Sequence, residues 1–142
     1  MRFLDQPIDF SPVAGQTMAA YAASVSAAQL LDFSVAVHRA GRRLVSLWGS
    51  DERDRAADAG SGFALHVAFD LAEGLACLSL PLPADNPAFP DLASLFYSAN
   101  RLQRAACDLL GLRIEDGEDT RPWLRHANWP ADYFPLRRDT PD

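Results

Sequence analysis

Lysine does not occur in this chain: all thirteen basic residues are arginines, set against nineteen acidic ones for a formal net charge of −6. We read the missing lysine as a bias of composition rather than a recognition device. An acid surplus excludes the concentrated positive field that phosphate binding demands, so nucleic acid is not an expected partner. It equally disfavours a polybasic grip on lipid headgroups. Long apolar runs are missing too, and none approaches the roughly 20 residues needed to cross a bilayer. Met1–Pro7 lacks the layout of a secretory leader, because Asp5 and Pro7 interrupt it at once. The expectation is a cytoplasmic chain with no direct membrane insertion.

Cysteine is scarce, with only Cys77 and Cys107. Structural zinc and iron–sulfur clusters each use about four ligands, and two thiols without a CxxC pair or a His partner do not supply them. A reducing compartment disfavours a disulfide, so both are expected as small buried side chains. The three histidines, His38, His66 and His126, show no ligand spacing and read as capping or solvated residues. No serine sits in a GxSxG elbow. Ala59-Gly60-Ser61-Gly62 precedes a strand, whereas phosphate cradles follow a strand and open a helix. Glu115-Asp116-Gly117-Glu118-Asp119 lacks the alternating oxygens of a calcium loop and reads as a solvated acidic loop. No metal and no cofactor is expected.

What the chain does have is 142 residues with 49% hydrophobic content, enough for one domain with a real core. Residues 1–15, broken by Pro7, Pro12 and Gly15, read as an N-terminal arm. Residues 16–112 read as an α+β core. From Gln16 the chain reads as helical, first in the short Ala-rich stretch Thr17–Ser24. A better helix follows: Ser26 as N-cap, Ala27 to Ala40, and Gly41 as a left-handed stop. Its stripe is Leu30, Phe33, Val37 and Ala40, widened by Leu31 and Val35.

Arg43–Trp48 reads as a strand ended by Gly49-Ser50-Asp51, and Asp51 to Gly62 as a mobile connection. Phe63–Leu71 alternates with period two, and Leu75–Leu82 returns from a tight turn at Glu73-Gly74. Pro81, Pro83, Pro87 and Pro90 make an extended crossing. Asp91 then caps a helix from Leu92 to Leu110 that Gly111 ends. The fold class is therefore α+β, with a three- to four-stranded mixed sheet, helices packed on one face, and a long irregular C-terminal arm over 113–142. That arm carries Trp123, Trp129, Tyr133 and Phe134, whereas disordered tails are poor in aromatics, so it is expected to lie on a surface, its own or a partner's.

The remaining polar residues are arginines and acids. Arg104 and Asp108 share a helix face, where the bland reading is a surface ion pair worth a few tenths of a kcal/mol. Cys107 beside them admits a small thiol enzyme. Arginine interleaved with tryptophan and tyrosine in the arm is the composition of protein–protein hot spots.

Taken together, Arg101-Leu102-Gln103-Arg104-Ala105-Ala106-Cys107-Asp108-Leu109-Leu110-Gly111-Leu112 resembles the stretch "RLERAxxDLFGL" of one family. Arg121-Pro122-Trp123-Leu124 and Pro135-Leu136-Arg137-Arg138-Asp139 follow at that family's spacing. The family is the small hydrophilic subunit of respiratory complex I, with its relative in membrane-bound energy-converting NiFe hydrogenases of the formate-hydrogenlyase type. The Arg-Pro-Trp-Leu element is closer to the hydrogenase branch. Three positions depart from the pattern: Gln103 replaces a glutamate, Leu110 an aromatic, and Asp116-Gly117-Glu118-Asp119 a "GHPD" loop.

The resemblance implies a subunit without a redox centre, held at the cytoplasmic face of a membrane through its complex. Its implied partners are a large catalytic subunit, NiFe-hydrogenase-like or quinone-binding, and an iron–sulfur subunit. The implied interface residues are Arg104, Asp108, Gly111, Arg121, Pro122, Trp123, Pro135, Leu136, Arg137, Arg138 and Asp139, with Trp129 as a further aromatic anchor. A solitary adaptor descended from the same module is the rival reading, and exposed arm aromatics would let the isolated chain self-associate.

Overall fold

The computed structural model describes residues 1–53 and 62–141. Most of the connection expected to be mobile, and Ala59-Gly60-Ser61, lie outside the described residues. Among the described residues nine elements follow one another: β1 (Ser11–Pro12), β2 (Ala20–Ser24), α1 (Ala27–Arg39), β3 (Arg43–Asp51), β4 (Gly62–Leu71), β5 (Gly74–Pro83), β6 (Ala88–Pro90), α2 (Ala99–Leu110) and β7 (Arg113–Glu115). They form a five-stranded mixed sheet of order β1-β2-β5-β4-β3 and a separate parallel pair, β6-β7. The class is α+β as expected, but the sheet is wider than the three or four strands read from the sequence.

The extra width comes from a stretch read as helical. Thr17–Ser24 is Ala-rich, yet its Ala20–Ser24 part runs parallel to β5, with Tyr21 opposite Ala76 and Ala23 opposite Leu78. Tertiary pairing overrides helix propensity here. Gly74 makes the pairing possible: its φ is +138°, and a Cβ there would run into the Ala19 carbonyl, which accepts the Leu75 N–H at 2.9 Å. Residues of the expected N-terminal arm also enter the core. Phe3, Ile8 and Phe10 are buried, and Phe3 packs tilted against Phe10 and edge-on against Tyr21, with both ring centroids 5.0 Å away.

The helix α1 starts where its cap dictates. Ser26 Oγ accepts the Gln29 N–H at 3.2 Å and Gln29 Oε1 accepts the Ser26 N–H at 2.9 Å, a reciprocal capping box. Leu30, Phe33 and Val37 are buried, whereas Leu31 and Ala40 stay exposed, so the apolar stripe is narrower than the sequence implied. Phe33 continues an aromatic chain from Phe10 through Phe69 to Phe96, with neighbouring centroids 5.4 to 5.7 Å apart.

Register assigns the two sheet faces. Leu47, Val67 and Leu78 lie in one row, and Gly49, Leu65 and Leu80 in the next. A bulge at Val45 skips one residue between Leu44 and Ser46, which lets Leu44 and Leu47 share the core face. Both helices cover this face: Phe33 meets Phe69, and Leu110 and Leu112 close over Gly49, where a Cβ would have no room. On the opposite face His66 is not simply solvated. It stacks on Trp48 at 5.3 Å, with Ser50 Oγ 2.8 Å from Nε2 and Ser79 Oγ 2.8 Å from Nδ1. Burial lowers its pKa below the usual 6.5, against the pull of Glu52.

The second helix is shorter than expected. Residues 92–98 form successive turns, and α2 begins at Ala99. Asp91 caps no helix; its Oδ1 accepts the Ala93 N–H at 2.9 Å and Gln103 Nε2 at 2.5 Å. This local bond competes with helix initiation. The parallel pair β6-β7 then brings the chain leaving α2 beside the crossing. No helix of the described residues is long and apolar enough to cross a membrane.

Candidate functional site

The residues singled out on α2 and in the C-terminal arm come together in space, because the arm folds back onto its own helix. Arg104 and Asp108 are 8% and 6% exposed, so they are not surface groups. They do not bond each other: apart from one bond from Arg104 to Asn100 on the same helix, their bonds run to the arm. Arg104 Nε donates to the Arg121 carbonyl at 2.7 Å and Nη2 to the Pro122 carbonyl at 3.3 Å. Its Nη1 reaches Asn100 Oδ1 at 2.8 Å and Asp119 Oδ2 at 3.2 Å. One turn on, Asp108 Oδ2 accepts three successive backbone N–H groups, from Trp123 (2.8 Å), Leu124 (2.6 Å) and Arg125 (3.2 Å). Helical spacing of three and four residues aims both side chains at one strip of surface, and that strip is occupied by Arg121 to Arg125.

Asp119 belongs to this clamp. The acidic loop read as solvated is tied down at its last residue, which accepts from Asn100, Arg104 and Arg121. The Arg121 guanidinium, first among several donors, holds the Asp119 carboxyl well below the usual carboxylate range. Trp123 lies flat beneath two cations, its ring 4.9 Å from Arg101 Cζ and 5.3 Å from Arg104 Cζ.

A second clamp fixes the far end of the arm. Gly111 ends α2 with φ +72°, and a Cβ there would collide with the Arg137 guanidinium and crowd Phe134. The exposed helix-end carbonyls are capped from the arm: Leu136 N–H donates to Leu109 at 3.1 Å, and Arg137 Nε to Leu110 at 2.7 Å. Arg138 N–H donates to Asp51 Oδ2 at 2.9 Å. Asp51 also accepts from Arg53 at 2.6 Å, and Arg53 continues to Asp139 at 2.6 Å. Arg53 beside it keeps the Asp51 carboxyl far below its ordinary value despite burial.

Between the clamps, Arg125 organises the loop. Its Nη1 and Nη2 donate to the carbonyls of Ala131 (3.0 Å) and Tyr133 (3.3 Å). Its Cζ lies 4.9 Å from the Phe134 ring and 5.9 Å from Trp129, while Trp129 Nε1 donates to the Tyr133 carbonyl at 2.9 Å. Pro135 and Trp129 are half-buried, and Pro122 is exposed.

The helix and arm residues singled out in the sequence thus lie together in the structure. Asp51, Arg53 and Asp119, which help to hold them, were not among those residues. Asp51 could have been found: it shares strand parity with Leu47 and Gly49, and a carboxylate on a core-facing strand position needs a partner. The Cys107 thiol is pushed up to about 12, by burial first and by Asp108 second. Asp108 is committed to three backbone N–H groups and so is not free to act as a base toward that thiol.

A family model described as the 30 Kd subunit of the respiratory-chain NADH dehydrogenase matches residues 23–142. The NADH-quinone oxidoreductase C/D subunit of Rhodopseudomonas palustris (strain BisB18) is 31% identical over 103 residues, 69% of this chain and 17% of its own length. The protein of the same name from Gluconacetobacter diazotrophicus is 34% identical over 104 residues, with the same shares. This chain thus spans about a sixth of the relatives it matches. Among solved structures, the trypsin-resistant fragment (1-134) of Nqo5 superposes with a TM-score of 0.64 at 18% identity, covering 78% of this chain and 89% of that one. A chain of the membrane-bound sulfane sulfur reductase, an archaeal respiratory membrane complex, superposes with a TM-score of 0.72 at 17% identity, covering 93% and 77%. At these identities the two structures share the fold.

Proposed function

Because the chain belongs to the family of the 30 Kd subunit of the respiratory-chain NADH dehydrogenase, we propose that it is a non-catalytic subunit of a membrane-associated respiratory complex. In this reading it docks a large catalytic subunit, either in an energy-converting NiFe hydrogenase or in a complex-I-like NADH:quinone oxidoreductase. It stands beside an iron–sulfur subunit at the cytoplasmic face. It carries no cofactor of its own, and its contribution is a shaped surface. The two C/D relatives support this, since each holds the matched segment within a far longer polypeptide.

The observation that carries the reading is the clamped arm. A segment with little regular structure is held at both ends by buried charged groups, while Trp123, Leu124, Tyr133 and Leu136 stay between 38% and 54% exposed. Fixing an apolar segment in advance lowers the entropy cost of association. Arg104, Asp108 and Gly111 then shape the docking surface from beneath rather than touch the partner.

Leu136, at 54% exposed, tests the dock. Leu136→Asp, co-expressed with a candidate large subunit of such a complex, is expected to abolish co-purification while leaving the melting temperature of the isolated chain unchanged. Retained co-purification would remove the arm from the interface.

A further inference from the structure

Resting on the docking role just proposed, we infer that Arg101, framed by Trp123 and Tyr97, is a polar anchor of the dock and receives a carboxylate, the side chain of an aspartate or glutamate, from the large subunit. The arginines that hold the arm are engaged within the chain. Arg104 bonds the Arg121 and Pro122 carbonyls and Asp119, Arg121 bonds Asp119 at 2.9 Å, Arg125 bonds two carbonyls of its own loop, and Arg137 bonds Leu110. Arg101 differs. Among the described residues it makes no hydrogen bond or ion pair, and what holds it is the Trp123 ring, 4.9 Å from its Cζ. A guanidinium stacked on a ring keeps the donors along its edge for another group, and those donors match a carboxylate in a planar fork.

The charges bonded into this clamp favour an anion. Arg101, Arg104 and Arg121 stand with the carboxylates of Asp108 and Asp119, and both carboxylates are taken up without bonding Arg101. Tyr97 supplies the second wall. Its carbonyl accepts the Asn100 N–H at 3.2 Å, which carries the helical turn back from α2, and a separation of four residues sets it on the same face as Arg101. At 88% it is the most exposed of the large apolar side chains described, so it adds nothing to the core. Tyrosine, tryptophan and arginine together are the residue types that dominate association energies. An ion pair in open water is worth little. Between two rings that a partner closes over, water is excluded and the attraction strengthens. An anionic membrane is the less favoured source of the charge, because a net charge of −6 opposes its approach.

The absence of lysine from the chain makes a chemical test specific. Arg101→Lys, co-purified with a candidate large subunit of such a complex, is treated with a water-soluble carbodiimide, which couples an amine to a carboxylate in direct contact with it. The expected product, read by mass spectrometry, links residue 101 to an aspartate or glutamate of the large subunit. Arg39→Lys, at an exposed position on α1, is expected to give none. A link from 101 to this chain's own carboxylates, no link in an intact complex, or equal coupling at 39 overturns the inference. In titration calorimetry with the same large subunit, Arg101→Glu is expected to raise the dissociation constant at least about tenfold. Tyr97→Ser is expected to raise it by about fivefold or more. Both side chains are exposed, so both variants are expected to fold. Unchanged affinity of Arg101→Glu overturns the inference and leaves the docking role standing, whereas retained binding by Leu136→Asp removes the role and the inference with it. An isolated chain that sediments as a dimer dissociated by Arg101→Glu would assign the face to a second copy. Flotation with phosphatidylglycerol vesicles that Arg101→Glu abolishes would assign it to a membrane. Either result overturns the inference.

Discussion

Asp108 Oδ2 on α2 accepts the backbone N–H of Leu124 at 2.6 Å, the shortest of three such bonds it makes to consecutive residues of the arm. A single carboxylate oxygen thereby fixes a three-residue turn that has no regular structure of its own. The helix carries an acid at this position for a backbone reason, and the adjacent Arg104 does the complementary work on carbonyls.

Replacing that carboxylate removes the charge from bonds that are roughly twice as strong for being charge-assisted. Asp108→Asn is expected to destabilise the chain by about 2 kcal/mol, because buried N–H donors lose part of their acceptor. Urea unfolding measures it, and hydrogen exchange should show the amides of 123, 124 and 125 losing protection together. A variant as stable as the parent, with those amides still protected, would mean the clamp is incidental.

Gln103 stands where the family pattern has a glutamate, and its 1% exposure makes the difference consequential. Its Nε2 donates to Asp91 at 2.5 Å and its Oε1 accepts the Leu92 N–H at 3.3 Å. A glutamate could keep the second bond but would face Asp91 with a like charge. Gln103→Glu is expected to cost about 2 kcal/mol at neutral pH through that repulsion and burial. Asp91→Asn supplies a donor to the new glutamate, so the pair should recover at least half of the loss. A double-mutant cycle with no coupling between 91 and 103 would refute the arrangement.

How far the sequence discloses this molecule depends on what each residue answers to. Ser26, the period of Phe63–Leu71 and Gly111 act through local rules, and each does in the structure what it signals in the sequence. Ala20–Ser24 does not, because its strand state depends on pairing with β5, some fifty residues away, and on the room that Gly74 leaves. The start of α2 differs for a related reason: Asp91 reads as a cap, but its carboxylate accepts from Gln103 inside the helix. At the site, the residue types and their spacing were legible. Their direction was not, since an arginine's partner can be a neighbouring protein or its own chain, and only the return path of the arm decides.

Several groups shape the acid side of stability, Asp119 and Asp139 among them, and the two that are buried or half-buried, His66 and Asp51, act with the same sign. His66 has its folded pKa below 6.5 because burial disfavours the cation, so the unfolded chain takes up the proton first and stability falls as pH drops through 6.5. Asp51 has its folded pKa far below 3.8 because Arg53 holds the anion. Its contribution is complete above 3.8 and is lost as pH falls below that value. Urea midpoints between about pH 8 and 3 should therefore decline in two steps. His66→Gln is expected to flatten the upper step alone, and Asp51→Asn to shrink the lower one while exposing the Arg138 amide to exchange. A parent chain with no loss between about pH 7 and 5 would contradict the role given to His66.

Two glycines separate backbone strain from steric closure at the second clamp. Gly41 has φ +67° and nothing within 4 Å of an added Cβ, whereas Gly111 has φ +72° with Arg137 and Phe134 pressed against it. Both substitutions to alanine incur the left-handed penalty of about 1 kcal/mol. Only Gly111→Ala must also push out the Arg137 guanidinium, which caps the Leu110 carbonyl. It is therefore expected to cost about 1 to 2 kcal/mol more than Gly41→Ala, the order of a lost buried hydrogen bond. The excess should shrink in an Arg137→Ala background, where the obstruction is gone and the cap already lost. Equal losses for the two alanine variants would show that the arm does not lean on the end of α2 and that Gly111 is there for its backbone alone.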